Sequence, residues 1–140
     1  MATKLTQLNR TQYQQVCRER LLDAQALLGT KCWAGAYYMA GYAIECAFKA
    51  CIAKQTRAED YPPSDGKEYY THNFDKLLSL AGLELPPDPA FRTNWKTVTD
   101  WSEESRYSTD APESELQAQK LLQAIIDPEK GVFAWLQVHW

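Results

Sequence analysis

The sequence has no excess of basic residues, and this limits the functions open to it. Its 15 Lys and Arg residues are outnumbered by 18 Asp and Glu residues, which gives a net charge of −3. Domains that bind nucleic acid through general electrostatic attraction are usually strongly basic. The composition therefore disfavours a general nucleic-acid-binding surface, while a small basic patch at an interface remains compatible with it.

The sequence also lacks an apolar run of the length that spans a membrane. Its longest apolar stretch is interrupted by Glu45 and Lys49, whereas a spanning helix needs about 20 consecutive apolar residues. The opening residues MATKLTQLNRTQ contain no apolar segment of the kind found in secretory signals. We therefore expect no membrane association and a cytoplasmic localisation.

Several site motifs are missing as well. There is no CxxC pair, no glycine-rich phosphate loop, no pair of metal ligands at a known spacing and no Ser/His/Asp-type arrangement. We therefore expect neither a metal nor a cofactor. Four cysteines are present, and they are interpreted as reduced thiols that act as small buried hydrophobes: Cys17, Cys32, Cys46 and Cys51.

The most regular pattern in the chain is the stretch from Lys31 to Lys54. Apolar or small residues recur there with the spacing of one helical face, over roughly six turns. They are Trp33, Ala36, Tyr37, Ala40, Ile44, Ala47, Phe48 and Cys51. Since the other faces are also mostly apolar, the pattern predicts a central helix that is buried on nearly all sides.

Helical periodicity also precedes and follows this stretch. A first helix is predicted from Asn9 or Thr11 to Leu28, with Gly29 in the left-handed conformation that ends a helix. Residues 55–71 lack helical periodicity and predict a long loop between the second and third helices.

Three further helices are predicted after the loop. Thr71 or Asn73 caps a short third helix that ends at Gly82. The fourth begins with Asp88 as N-cap and Pro89 at its first position, and extends to about Ser105. Asp110 with Glu113 resembles a capping box for a fifth helix, which Asp127-Pro128 kinks or restarts.

We thus expect an all-α fold, a single-domain, up-and-down-like bundle of four to five helices. The domain spans residues 1–140, with its core at about 10–138. Small residues on the apolar central helix, Ala36, Ala40, Gly41 and Ala47, predict that one side of it packs against a second subunit. A homodimer is therefore expected.

Two residues of the central helix contradict its apolar pattern. Gly41 costs about 1 kcal/mol of helix stability relative to alanine. Glu45 is either an exposed residue at a subunit seam or a buried acid, and if it is buried it must be paired, because an unpaired buried carboxylate is too costly. Its partner is Arg106, Lys49 or His72, and the sequence does not rank these three.

His72 and the cluster W-x4-RY are the other candidate functional groups. His72 begins the third helix, where an imidazole acts either as a general base or phosphate contact, or as a hydrogen-bond partner of the loop backbone. In the cluster, Arg106 beside Trp101 and Tyr107 either binds a base or phosphate, or satisfies the end of its own helix with core aromatics around it. We predict that His72, Arg106 and Tyr107 lie in one cleft.

Three segments together resemble the HEPN domains, which are small bacterial and archaeal helical domains. They are AGAYYMAGYAIECAFKA, THNFDKLLSLAGL and W-x4-RY. The resemblance implies a bundle of four to five helices, association with RNA or nucleotides, homodimers, minimal nucleotidyltransferase partners and toxin–antitoxin contexts. Active members of that family are metal-independent endoribonucleases with an R-x(4–6)-H motif.

This motif is absent from the chain. Positions 111–113, which follow Arg106 at the required spacing, are Ala, Pro and Glu, and positions 97–99 after Arg92 contain no histidine either. Two functions are therefore considered. The first is a binding module for a nucleotide, an RNA or a nucleotidyltransferase, in which Arg106, Tyr107, His72, Trp101 and Glu45 are the candidate ligand-binding residues. The alternative is an endoribonuclease toxin that uses Arg106 and His72 as catalytic residues.

Overall fold

The described part of the chain, residues 8–54, 71–111 and 113–140 of the computed structural model, is all-helical. The side chain of Arg106 lies outside this description, as do residues 55–70 of the predicted long loop. The described residues form six α-helices, α1 Arg10–Gly29, α2 Trp33–Ala53, α3 Phe74–Ala81, α4 Pro89–Thr99, α5 Ser114–Ile126 and α6 Val132–His139, and a 3-10 helix over Glu103–Tyr107. The predicted fold class is confirmed, although the described part of the chain has six α-helices where four to five were expected.

The helix α2 is central, as predicted. It packs along much of its length against α1, and it also contacts α3, α5, α6 and the 3-10 helix. Its C-terminal half is buried almost completely, in a core to which each of the six described α-helices contributes. The four small residues Ala36, Ala40, Gly41 and Ala47 are all buried within the chain itself, so they do not provide the exposed subunit surface that the sequence suggested.

Three predicted caps are confirmed. Asn73 accepts a hydrogen bond from the amide of Lys76 and begins α3, and Gly82 ends it with a positive φ of 69°. Asp88 accepts from two amides at the start of α4, with Pro89 as its first residue. These side chains satisfy backbone N–H groups that have no partner inside the helix.

The end of α1 differs from the prediction. Gly29 is its last helical residue, and Lys31 takes the left-handed conformation instead, with φ 65°. The amide of Cys32 bonds to the carbonyl of Leu27, and the amide of Lys31 bonds to that of Leu28. This is the Schellman pattern, and it sets the left-handed position two residues after the glycine.

The C-terminal end of α4 and the start of α5 also differ from the prediction. The helix α4 stops at Thr99 rather than near Ser105, because Trp101 turns into the core and Ser102 caps the separate 3-10 helix. Asp110 does not cap α5. Its carboxylate accepts from the amide of Ala34 at 2.7 Å, and so caps the start of α2, where the N-cap residue Cys32 provides no side-chain hydrogen bond.

The break between α5 and α6 follows from Asp127-Pro128. The carboxylate of Asp127 accepts from the amides of Glu129 and Lys130, which closes a turn. These bonds hold the pKa of Asp127 below its usual value. The prediction of a kink or restart at this point is therefore confirmed as a restart.

Candidate functional site

The candidate site begins on one face of α2. Gly41, Glu45 and Lys49 follow one another at intervals of four residues. In a helix this spacing places them on the same face, one turn apart. The aromatic ring of Trp101 lies over Gly41, and the imidazole of His72 lies over Glu45. Two segments distant in sequence therefore meet along this face.

Glu45 is buried, with only 2% of its surface exposed, and it has two partners. Its Oε2 lies 2.9 Å from Nζ of Lys49, and its Oε1 lies 2.5 Å from Nδ1 of His72. The Lys49 side chain is itself only 12% exposed. Each carboxylate oxygen thus has a hydrogen bond, which is the condition for placing a charged carboxylate in a protein interior. Of the three partners that the sequence allowed, Lys49 and His72 are both used.

The carboxylate fixes both the orientation and the tautomer of His72. An ionised carboxylate only accepts hydrogen bonds, so Nδ1 must carry the proton that is shared with Glu45. In the neutral imidazole Nε2 is then an acceptor. Because the His72 side chain is 46% exposed, the ring extends from a buried anchor to the surface.

Trp101 belongs mainly to the core. It is 5% exposed, and its ring stacks on Phe74 with a centroid distance of 5.4 Å and an interplanar angle of 18°. A Cβ atom at Gly41 would come within 2.2 Å of the indole. The glycine is thus explained by the close approach of the tryptophan to the helix. A flat stack of a ligand base on the face of Trp101 has little room, since Phe74 already occupies one face.

A cleft of about 410 Å³ opens between the start of α3 and the segment that follows α4. Its described lining residues are Thr71, His72, Asn73, Phe74, Asp75, Thr99, Trp101, Ser102 and Glu103. Two of them, Asp75 and Glu103, are acidic, and none of the described lining residues is Lys or Arg. Hydroxyl, amide, imidazole and carboxylate groups therefore surround a small polar volume.

Arg106 and Tyr107 lie in the 3-10 helix that begins at Glu103, next to the cleft in sequence. Tyr107 is 75% exposed. The Arg106 side chain is outside the described residues, so the shared cleft of His72, Arg106 and Tyr107 stays a prediction.

Reactive groups elsewhere in the described chain are few. Burial raises the pKa of Cys46 and of Cys51 to about 12, so both thiols stay protonated and unreactive. All four cysteines are free, with Cys32 only half-buried. The described residues contain no grouping of three or more metal-binding side chains. None of the described helices combines the length and the apolar character of a membrane span.

The sequence missed some parts of the site. Asp75 and Glu103 gave no signal, because acidic residues near helix starts are common and are favoured by the helix dipole. The pairing of Glu45 with Lys49 did have a signal, since a Glu four residues before a Lys is the favoured helical ion-pair spacing. The contact of Glu45 with His72 had no local signal, since 27 residues separate the two.

Comparison with known proteins identifies the family. The family model described as the HEPN domain matches residues 15–126, which is most of the chain. Searches among curated proteins and among solved structures found no match. The chain belongs to the HEPN family.

Proposed function

Because the chain belongs to the HEPN family, we propose that it binds a nucleotide or an RNA in the cleft beside His72 and does not cleave RNA efficiently. One observation carries this proposal: the buried carboxylate of Glu45 holds the ring of His72 at the edge of a polar cleft. Burying the ion pair of Glu45 with Lys49 costs desolvation free energy, and this cost is high for an arrangement that positions a surface imidazole. Such an arrangement is typical of a side chain whose orientation matters for a ligand.

The size and chemistry of the cleft support a small polar ligand. Its volume of about 410 Å³ is in the range of small-molecule sites, which are roughly 300–1,000 Å³. A fixed imidazole loses little conformational entropy on binding, and this favours affinity. Arg106, three residues after Glu103 in sequence, is the nearest arginine in sequence to this cleft and would contact a phosphate.

Cleavage requires more than the described cleft provides. Attack by a ribose 2′-hydroxyl needs a base for its proton and positive groups for the developing phosphorane charge. His72 could meet the first need and Arg106 is proposed for the second, but the two come from different segments, and the described lining adds two acidic residues and no lysine or arginine. The family's R-x(4–6)-H arrangement, which would bring both groups together, is absent from the sequence.

We expect the purified protein to shift, but not to cut, an unstructured RNA in EDTA. Binding should fall in His72→Gln, which removes the oriented ring, and in Arg106→Ala, which removes the phosphate contact. His139→Gln is the matched control, because His139 is the other histidine of the chain and lies against Trp135 in α6. Gel shift and fragment analysis on the same samples measure both outcomes. If no RNA or nucleotide binds, the proposal fails.

The alternative function is an endoribonuclease toxin, and the contact between Glu45 and His72 favours it. An imidazole whose Nδ1 is held by a carboxylate is the usual arrangement of a general base. Specific RNA fragments that disappear in both His72→Gln and Arg106→Ala would establish this function. Growth arrest on expression of the wild type, relieved by Arg106→Ala, would place it in a toxin–antitoxin context. A minimal nucleotidyltransferase is the protein partner proposed for either function.

We also propose that the protein is a homodimer. The first half of α2 keeps partly exposed apolar side chains, and among them Tyr38, Met39 and Tyr42 are neighbours on one side of the helix. Tyr38 and Tyr42 stack at 6.2 Å. A second copy of the chain would cover this surface.

Sedimentation at micromolar concentration is expected to give about twice the monomer mass. Met39→Lys should shift the protein to monomers, because it places a charge in the proposed contact. Leu22→Lys serves as the control, since Leu22 is an exposed apolar residue on α1. A monomer in the wild type would contradict the proposal.

A further inference from the structure

We infer that the part of the ligand held in this cleft is a ribose cis-diol, presented either by a free nucleoside or by the 3′ end of an RNA. This inference rests on the proposed function and specifies which chemical group the described residues recognise. The argument has three steps: the hydrogen-bonding capacity of His72, the charge of the cleft and the geometry of a diol.

The first step concerns His72. Its Nδ1 is bound to the carboxylate of Glu45, so Nε2 is the ring nitrogen left to bond a ligand in the cleft that His72 lines. Lys49 is already bound to the other carboxylate oxygen, and its side chain is nearly buried. Glu45, Lys49 and His72 therefore offer the cleft no free ammonium group.

The second step concerns the two acidic residues. Asp75 and Glu103 both line the cleft, one from α3 and one from the 3-10 helix. A phosphate placed beside these carboxylates meets like charges, and this repulsion disfavours a phosphate relative to an uncharged ligand. Hydroxyl groups, which donate hydrogen bonds to carboxylates, meet no such penalty.

The third step concerns the ligand. A ribose with both hydroxyls free presents two donors side by side, and a carboxylate can accept from ribose hydroxyls, as acidic residues do in dinucleotide-binding proteins. Free nucleosides and RNA 3′ ends carry this group. A 3′-phosphate end replaces one donor with a charge, and a 2′,3′-dideoxy end removes both donors. The cleft should therefore distinguish among these ends.

The test uses one short, 5′-labelled, unstructured RNA with three different 3′ ends: a free diol, a phosphate and a 2′,3′-dideoxy end. Binding to the full chain is measured by fluorescence anisotropy. We expect the diol end to bind roughly tenfold or more tightly than either of the others, since the loss of one hydrogen bond to a charged group has about that effect. Equal binding of all three ends would overturn the inference.

Variants of the acidic residues test which side chains cause the preference for the diol end. Glu103→Gln and Asp75→Asn should reduce the preference for the diol over the phosphate end, while the control Glu104→Gln should keep it, because Glu104 does not line the cleft. Thermal melting of each variant checks folding, and the comparison of three ends on the wild type does not depend on any variant. If Glu104→Gln alone changes the preference, the assignment to this cleft is wrong.

Competition by adenosine separates the two sources of the diol. If adenosine displaces the RNA fully at a concentration comparable to that at which the RNA binds, a free nucleoside is a sufficient ligand. If adenosine displaces the RNA only weakly, the ligand is the 3′ end of an RNA. Failure of the proposed function looks different from failure of this inference. In the first case no RNA binds with any end, and in the second all three ends bind equally and still depend on His72.

Discussion

Replacing Glu45 by leucine is expected to lower the free energy of unfolding by about 3–5 kcal/mol. The variant removes the partner of Lys49, whose side chain is only 12% exposed, and leaves that ammonium group without its ion pair. His72 loses its anchor too, but it is 46% exposed and can be hydrated. Urea unfolding followed by circular dichroism measures the change. A loss of unfolding free energy as small as that of a surface substitution would contradict the claim that Glu45 stabilises a buried ion pair.

A second variant distinguishes the cost of an orphaned charge from the value of the ion pair. In Glu45→Leu with Lys49→Met both charges are replaced by apolar groups, and such replacements of buried pairs are often neutral or stabilising. We expect the double variant to recover most of the lost stability. Glu84→Leu, at an exposed position, is the control and should change stability by no more than about 0.5 kcal/mol.

The same double variant tests function apart from stability. It should be folded, yet its His72 has no carboxylate to fix the ring and the tautomer. RNA binding is therefore expected to be weak in a stable protein. If binding is unchanged, the orientation of His72 has no role in recognition, and the cluster is structural.

The helices that the sequence predicted well are those with strong local signals. The apolar periodicity of α2 extends over its whole length, and Asn73, Gly82 and the pair Asp88-Pro89 are caps whose geometry involves only nearby backbone. In such cases the residues that decide the structure lie within one or two turns. Sequence alone is then sufficient.

The predictions that failed depend on distant residues. Asp110 has the spacing of a local capping box, but it caps α2, which lies 76 residues earlier. The end of α4 is set by the packing of Trp101 against Gly41, a contact across 60 positions of the chain. No local pattern contains such contacts, because they arise only when the helices have packed.

The candidate site shows the same division. The sequence identified Glu45 and His72 as unusual, each for its own reason, and named His72 among the partners of Glu45. It did not indicate that Lys49 and His72 bind opposite oxygens of one carboxylate. Nor did it indicate that Asp75 and Glu103 line one cleft. Individual residues were predicted, but their arrangement required the fold.

Gly41→Ala is expected to destabilise the protein, although alanine is the better helix former. The new Cβ would lie 2.2 Å from the ring of Trp101, far inside van der Waals contact. Overpacking of this kind costs typically 1–3 kcal/mol, which exceeds the gain of about 1 kcal/mol in helix propensity. The indole must move away from α2, and because Trp101 lines the cleft, ligand binding should weaken as well.

Two comparisons test whether the contact with Trp101 causes the loss of stability in Gly41→Ala. Gly29→Ala adds the same methyl group to a helix, but nothing lies within 4 Å of its Cβ, so this control should be neutral or stabilising by up to about 1 kcal/mol. In a Trp101→Leu background the ring is gone, and Gly41→Ala should then cost much less than in the wild type, or become stabilising. The difference between the two backgrounds, measured by urea unfolding, is the coupling energy of the contact. If the cost of Gly41→Ala is the same in both backgrounds, the close approach of Trp101 does not explain the glycine.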